Sequence, residues 1–161
     1  MKITVFTKGR DALEHVDALI EALREKGCII LDYAIMFLSE SQCDNHYAHI
    51  VGKSFYGAVR EMFSVCPSFF LLIEGELNDV MAVVGEVTDP SECAPGTFRN
   101  MYGKDKTHNG YHRSDEEGAP GDYSRFWGKD GYITEFRKDP LAAYEVVMFL
   151  LNMGSDDTHG K

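Results

Sequence analysis

Apolar positions along this chain follow two rhythms. Runs of β-branched and aromatic residues predict strands, and apolar residues recurring every three or four positions predict helices. Ile3-Thr4-Val5-Phe6 predicts a first strand. Ala12, Leu13, Val16, Leu19, Ile20 and Leu23 recur at helical spacing and predict a helix over 11–26 with one buried face. Asp11 with Glu14 three residues later resembles a capping box at its start, and Gly27 closes it. Residues 28–38 are mostly apolar and predict a second strand. Short helices are expected around 40–50 and 55–64. Ser68-Phe69-Phe70-Leu71-Leu72-Ile73 is the clearest buried strand, and 78–84 is expected to be helical.

From 88 to 109 the rhythm stops, and Gly, Pro, Asp and Asn predict a long loop with one helical turn near 97–102. A long loop inside a small domain is as a rule functional. Residues 110–112 predict a short last strand and 119–127 a helix. A turn at 129–131 leads to Tyr132-Ile133. A final helix over 140–153 begins with Pro140 at its first position and carries a stripe of Tyr144, Val147 and Leu151. Residues 155–161 read as a polar tail. The order β-α-β-α-α-β-α-β predicts an α+β sandwich, with helices packed on an antiparallel four-stranded sheet, in a single domain over 1–154.

Composition narrows the function. The chain has 161 residues and is 44% hydrophobic, which suits a globular domain with a real core. Met1-Lys2 leads straight into the first strand, so no signal peptide is expected. No apolar run approaches membrane-spanning length, so no membrane partner is expected. Cys28, Cys43, Cys66 and Cys93 are scattered, which predicts free thiols and a cytoplasmic setting. The net charge of −10, from 16 basic and 26 acidic residues, disfavours nucleic acid and anionic membranes. Any anionic ligand therefore needs a local cluster of cations.

Such a cluster is legible in the loop. Pro95-Gly96-Thr97-Phe98-Arg99, Asn109, and His112-Arg113-Ser114-Asp115 set an arginine, an amide and a histidine ten and three residues apart. A guanidinium is a planar, permanently charged fork suited to phosphate oxygens. An imidazole can act as a nucleophile near neutral pH. Together they point to a phosphoryl group passing through His112. Two other signals carry less. His46 and His49 are three apart but lack a third metal ligand in nearby sequence. Gly52-Lys53-Ser54 lacks the first glycine and the strand-to-helix setting of a phosphate-binding loop.

The ordered motifs resemble the nucleoside diphosphate kinase family. Thr88-Asp89-Pro90, Pro95-Gly96-Thr97-Phe98-Arg99 and Asn109-Gly110-Tyr111-His112-Arg113-Ser114-Asp115 match its loop and its histidine segment. His46-Tyr47, Phe55-Tyr56, Glu74-Gly75 and Asn78 match upstream, and the likeness spans about residues 1–127. The resemblance implies a ferredoxin-like fold and transfer of a γ-phosphate, through a phosphohistidine at His112, from a nucleoside triphosphate to a nucleoside diphosphate. It further implies Mg²⁺ carried on the nucleotide phosphates, ping-pong kinetics, and a homo-oligomer. By resemblance, Lys8, Tyr47, Thr88 and Arg99 hold phosphates, Phe55 and Val59 the base, and Asn109 the sugar. Ser114 holds a carboxylate that orients His112. Strict counting puts Tyr123 in that carboxylate's place; a one-residue deletion puts Asp122 there, and because Ala119 then also aligns, Asp122 is the expected catalytic carboxylate. Three departures matter. The family's second arginine, expected near 81–84, is missing, and 61–98 contains no lysine or arginine. Gly9 replaces a proline after Lys8. Arg113 replaces a glycine, and Arg10 lies near Lys8; either is a candidate to stand in for the lost cation. Two alternatives remain open at this point: a nucleotide-binding module with weak or no kinase activity, and a partner-binding domain of the same fold.

Overall fold

Alternation of side chains along the strands puts two cores on opposite faces of one sheet. The computed structural model describes residues 1–133 together with Ala142, Glu145, Val146, Met148 and Phe149. Strands β1 (Lys2–Thr7), β2 (Ile29–Met36), β3 (Ser68–Glu74) and β4 (Tyr111–Arg113) lie in the order β2-β3-β1-β4. Each neighbouring pair is antiparallel. Ile3 and Val5 of β1 face one way, with Phe69, Leu71 and Ile73 of β3. Phe6, Phe70 and Leu72 face the other. Because helices cover both faces, β3 is buried from Ser68 to Ile73, which explains its unbroken apolar run.

The first core is closed by α2 (Val16–Glu25) and α5 (Leu77–Val84), and the second by α4 (Tyr56–Val65) and the segment 123–127. The helix expected over 11–26 is in fact two, α1 (Arg10–Leu13) and α2, with a turn at Glu14-His15. The His15 Nδ1 lies 2.7 Å from the Asp11 carbonyl oxygen, and the His15 N–H closes a tight turn onto Ala12. The capping box expected at Asp11 does not form. The α1 cap is Gly9, with φ +91°, and Glu14 pairs instead with Arg10. A true capping box opens α3 (Glu40–His46), where the Ser39 and Gln42 side chains and backbones bond reciprocally.

The long loop contains a 3-10 turn at Pro90–Glu92 and α6 (Phe98–Tyr102), capped by Thr97. After β4, α7 (Ala119–Asp122) widens into a π-helical turn over Tyr123–Trp127, a device often found beside functional groups. Trp127 reaches back to donate to Thr4 Oγ1. The C-terminal helix expected over 140–153 lies outside the described residues, apart from the five named above, each helical. The 155–161 tail lies outside them altogether.

Candidate active site

Register sets the position of the central histidine. The β4 strand pairs Phe6 with His112, and the imidazole stacks on the Phe6 ring at 4.6 Å between centroids. The next residue on this face, Ser114, is buried, and its backbone N–H donates to the Thr4 carbonyl. The Thr4 N–H donates to Ser114 Oγ. The Ser114 hydroxyl then donates to Asp122 Oδ2 at 2.7 Å. The same Oδ2 receives His112 Nε2–H at 2.7 Å. Arg125, three residues further along the helix, donates to Asp122 Oδ1 at 3.0 Å. Asp122 is thus a buried carboxylate with three donors.

Protonation follows from this geometry. Burial works against the Asp122 charge, but the bonds from His112 and Ser114 outweigh it and hold its carboxyl below the usual range. An ionised acceptor fixes the proton of His112 on Nε2, so the Nδ1 lone pair is free. Burial also holds the His112 pKa below its ordinary value, despite the attraction of Asp122, so the ring is neutral at pH 7. His46 stands edge-on to it at 4.8 Å, and its Nδ1 accepts from Arg125 at 3.1 Å. Burial, then His112, push the His46 pKa down to about 3.

His112 and Asp122 sit on a cavity of about 810 Å³, within the range of small-molecule sites. Its lining includes Lys8, Tyr47, Phe55, Val59, Thr88, Arg99 and Asn109. These residues, each given a site role by resemblance, therefore meet there; Ser114 does not line the cavity but buttresses Asp122 from behind. Of Asp122 and Tyr123, it is Asp122 whose side chain meets His112. Tyr123 lies instead under the Lys2 ammonium, 4.8 Å from its ring centroid. Arg10 is spent on Glu14 and does not line this cavity.

Two cations of the wall, Lys8 and Arg99, are set apart by their burial. Lys8 directly follows β1, its N–H bonded to the Gly110 carbonyl. Burial and then the nearby Arg99 bring its ammonium pKa down to about 7. Arg99 is buried and donates to the carbonyls of Tyr111, Gly85 and Val87. Burial, and then Arg113, hold its pKa at about 10. Neither Lys8 nor Arg99 makes an ion pair with a carboxylate among the described residues. Two orphaned polar atoms complete the picture, since the Tyr47 hydroxyl and Asn109 Oδ1 are buried without a hydrogen-bond partner among the described residues. Burial keeps that phenol protonated. A ligand with phosphates and hydroxyls would satisfy all of these groups at once.

Sequence reasoning missed Arg125, Lys106 and Thr107, which also line the cavity. Arg125 had a signal, because it lies at i+3 from Asp122 on one helix face. Lys106 and Thr107 sit in an irregular loop without one. The His46–His49 metal pair does not form, since His49 is exposed and His46 turns to His112. His46, His112 and Asp122 do bring ligand atoms within 4.8 Å of one another. Arg125 already donates to both His46 and Asp122, however, and two imidazoles suit Mg²⁺ poorly. A divalent ion fits this site as a partner of bound phosphates, without a protein cage.

The sequence profile described as nucleoside diphosphate kinase matches residues 10–131. The nucleoside diphosphate kinase of Archaeoglobus fulgidus is 30% identical over 133 residues, covering 81% of this chain and 87% of its own. That of Natronomonas pharaonis is 32% identical over 129 residues, covering 79% of each. Among solved structures, the Halobacterium salinarum nucleoside diphosphate kinase in complex with CDP is 25% identical with a TM-score of 0.68, covering 89% of this chain and 97% of its own. The chain belongs to the nucleoside diphosphate kinase family, and its fold is that family's ferredoxin-like α+β sandwich. With that membership comes the function of a nucleotide phosphotransferase, whose chemistry calls for a divalent metal. Among the described residues no helix is long and apolar enough to cross a membrane.

Proposed function

We propose that this protein moves the γ-phosphate of a nucleoside triphosphate to a nucleoside diphosphate through Nδ1 of His112. The single observation that carries this reading is the neutral imidazole, tied at Nε2 to Asp122 and free at Nδ1, on a wall where Lys8 and Arg99 make no ion pair with a carboxylate among the described residues. In the first half-reaction the Nδ1 lone pair attacks the γ-phosphorus. The bond to the bridging oxygen breaks, and the nucleoside diphosphate leaves with those electrons. Asp122 stabilises the positive charge that develops on the ring. In the second half, a β-phosphate oxygen of another nucleoside diphosphate attacks the phosphorus, and the N–P bond breaks. Each step is in-line transfer, in which positioning and charge do most of the work.

Lys8, Thr88, Arg99 and the Tyr47 hydroxyl hold phosphates in this reading. Asn109 Oδ1 accepts from a sugar hydroxyl. Phe55, 45% exposed at the cavity mouth, and Val59 below it receive the base. Stacking on Phe55 does not select among bases, so broad nucleotide use follows. Mg²⁺ is the proposed divalent ion, bound to the phosphates. A homo-oligomer in the cytoplasm is part of the proposal. Free buried cysteines support the compartment. Exposed Ile29 and Phe37, at the two ends of the sheet-edge strand β2, support self-association.

Initial rates with ATP and GDP varied together test the proposal. Parallel double-reciprocal lines that vanish in His112→Ala are expected; intersecting lines, or turnover retained in that variant, would overturn it. A nucleotide-binding module with little turnover is the runner-up, favoured by the lack of any lysine or arginine over 61–98. It predicts ADP binding without phosphorylation of His112. The intact His112–Asp122–Ser114 chain favours the kinase.

A further inference from the structure

Arg113 is the one arginine of the cavity wall that the reading above leaves without a task. It follows His112 on β4, so its side chain leaves the opposite face of the strand, toward the end of α5. There its Nε–H donates to the Gly85 carbonyl at 2.9 Å and its Nη2 to the Glu86 carbonyl at 2.7 Å. A longer bond runs from Nη1 to the Ser114 carbonyl at 3.4 Å. A guanidinium has five N–H donors, and these bonds occupy three, leaving one on each terminal nitrogen. The group is half-buried and lines the same cavity as Lys8 and Arg99.

The Gly85 carbonyl is shared. Arg99 Nη1 donates to it at 3.4 Å, so one oxygen holds two guanidiniums side by side. The backbone of Gly85, at φ +142°, permits this approach, since a Cβ there would meet Arg99 Cδ at 2.8 Å. Like charges in contact are unfavourable, and neither arginine closes an ion pair with a carboxylate among the described residues. Glu86 attracts both, and Asp115 attracts Arg113, but only from beyond ion-pair distance. In a chain of net charge −10, carboxylates to neutralise such a pair are abundant. Two fixed guanidiniums with spare donors on one cavity wall form a receptor for a dianionic group.

We propose that Arg113 is a second phosphate-gripping arginine, which binds nucleotide phosphoryl oxygens beside Arg99 while its Nε and Nη2 stay anchored on the Gly85 and Glu86 carbonyls. The inference rests on the proposed nucleotide site and deepens it. It also supplies, from the strand that bears His112, a cation that α5 does not provide.

Calorimetric titration of the full chain with ADP and, separately, with inorganic pyrophosphate tests it, comparing wild type, R113Q and R113K. A phosphate contact predicts that R113Q weakens both ligands by the same factor, about 10- to 100-fold. R113K, which keeps the charge but loses the fork, should lose less, again equally for both. Unchanged affinity of R113Q for both ligands would overturn the proposal, as would a loss confined to ADP. Should R113Q fail to fold, R113K decides alone: a shared loss supports the contact, and wild-type affinity for both ligands refutes it. Wild-type protein that binds neither ligand would instead refute the nucleotide site itself.

Discussion

Replacing Asp122 by Asn tests the chain of bonds behind the histidine. The side chain keeps its shape but loses its charge and one acceptor. Wild-type Oδ2 accepts from both His112 and Ser114, and Oδ1 accepts from Arg125. An amide offers one oxygen, so either Arg125 or the His112–Ser114 pair must face an NH₂ group. The guanidinium cannot accept a hydrogen bond, which turns the amide nitrogen toward His112. That nitrogen donates to Nε2 and draws the ring proton to Nδ1, the atom that must attack. Loss of the charge-assisted bond alone is worth roughly 1.5–3 kcal/mol, or about 10- to 100-fold in rate. The tautomer change adds to this. In a coupled assay of phosphate transfer from ATP to a second diphosphate, kcat should therefore fall at least tenfold. ADP affinity should stay within about threefold, because the phosphate-binding wall is untouched. A D122N enzyme with kcat within threefold of wild type would refute the orienting role of Asp122.

Three further outcomes follow from the same structure. The His112 pKa is held below its ordinary value, so the acid-side loss of phosphate transfer should begin only below about pH 6.5, where the ring protonates; an acid-side decline already centred above pH 7 in the kcat/KM profile would contradict this. Lys8, with a pKa of about 7, is mostly neutral at pH 8 and must gain a proton to pair with phosphate. ADP binding at pH 8, measured calorimetrically in buffers of different ionisation enthalpy, should take up protons, weaken as pH rises, and lose the uptake in Lys8→Met. Gly85→Ala forces a Cβ against Arg99 and Cys93 at a positive φ, which costs about 1–3 kcal/mol and should lower Tm by about 2–10 °C; an unchanged melting curve would show that the loop relaxes freely.

What could be read from sequence was what repeats locally. The run Ser68–Ile73 and the helical stripe Val16, Leu19, Ile20, Leu23 state their structures in their own periodicity, and the structure agrees. Split helices are less visible, because the break at Glu14-His15 depends on one imidazole competing for a backbone carbonyl. In the site, motif spacing carried Arg99, Asn109 and His112, which neighbour one another along a single loop and strand. Asp122 was ambiguous with Tyr123, because one residue of slip in 116–121 decides which faces the histidine. The fold brings Asp122, and not Tyr123, into a bond with His112. His46 and Arg125 are 79 residues apart, and their contact is a product of tertiary packing that no local pattern announces. Arg113 was visible as an oddity, but its anchorage on Gly85 and Glu86 was not.

In the proposed mechanism His112 carries the phosphate between the two nucleotides. Purified protein should be incubated with Mg²⁺ and γ-labelled ATP, freed of nucleotide, and then given GDP. The account predicts a label that is stable in base, labile in acid, absent from His112→Ala, and transferred to GDP as labelled GTP. No label on His112 in a protein that binds ADP would contradict it.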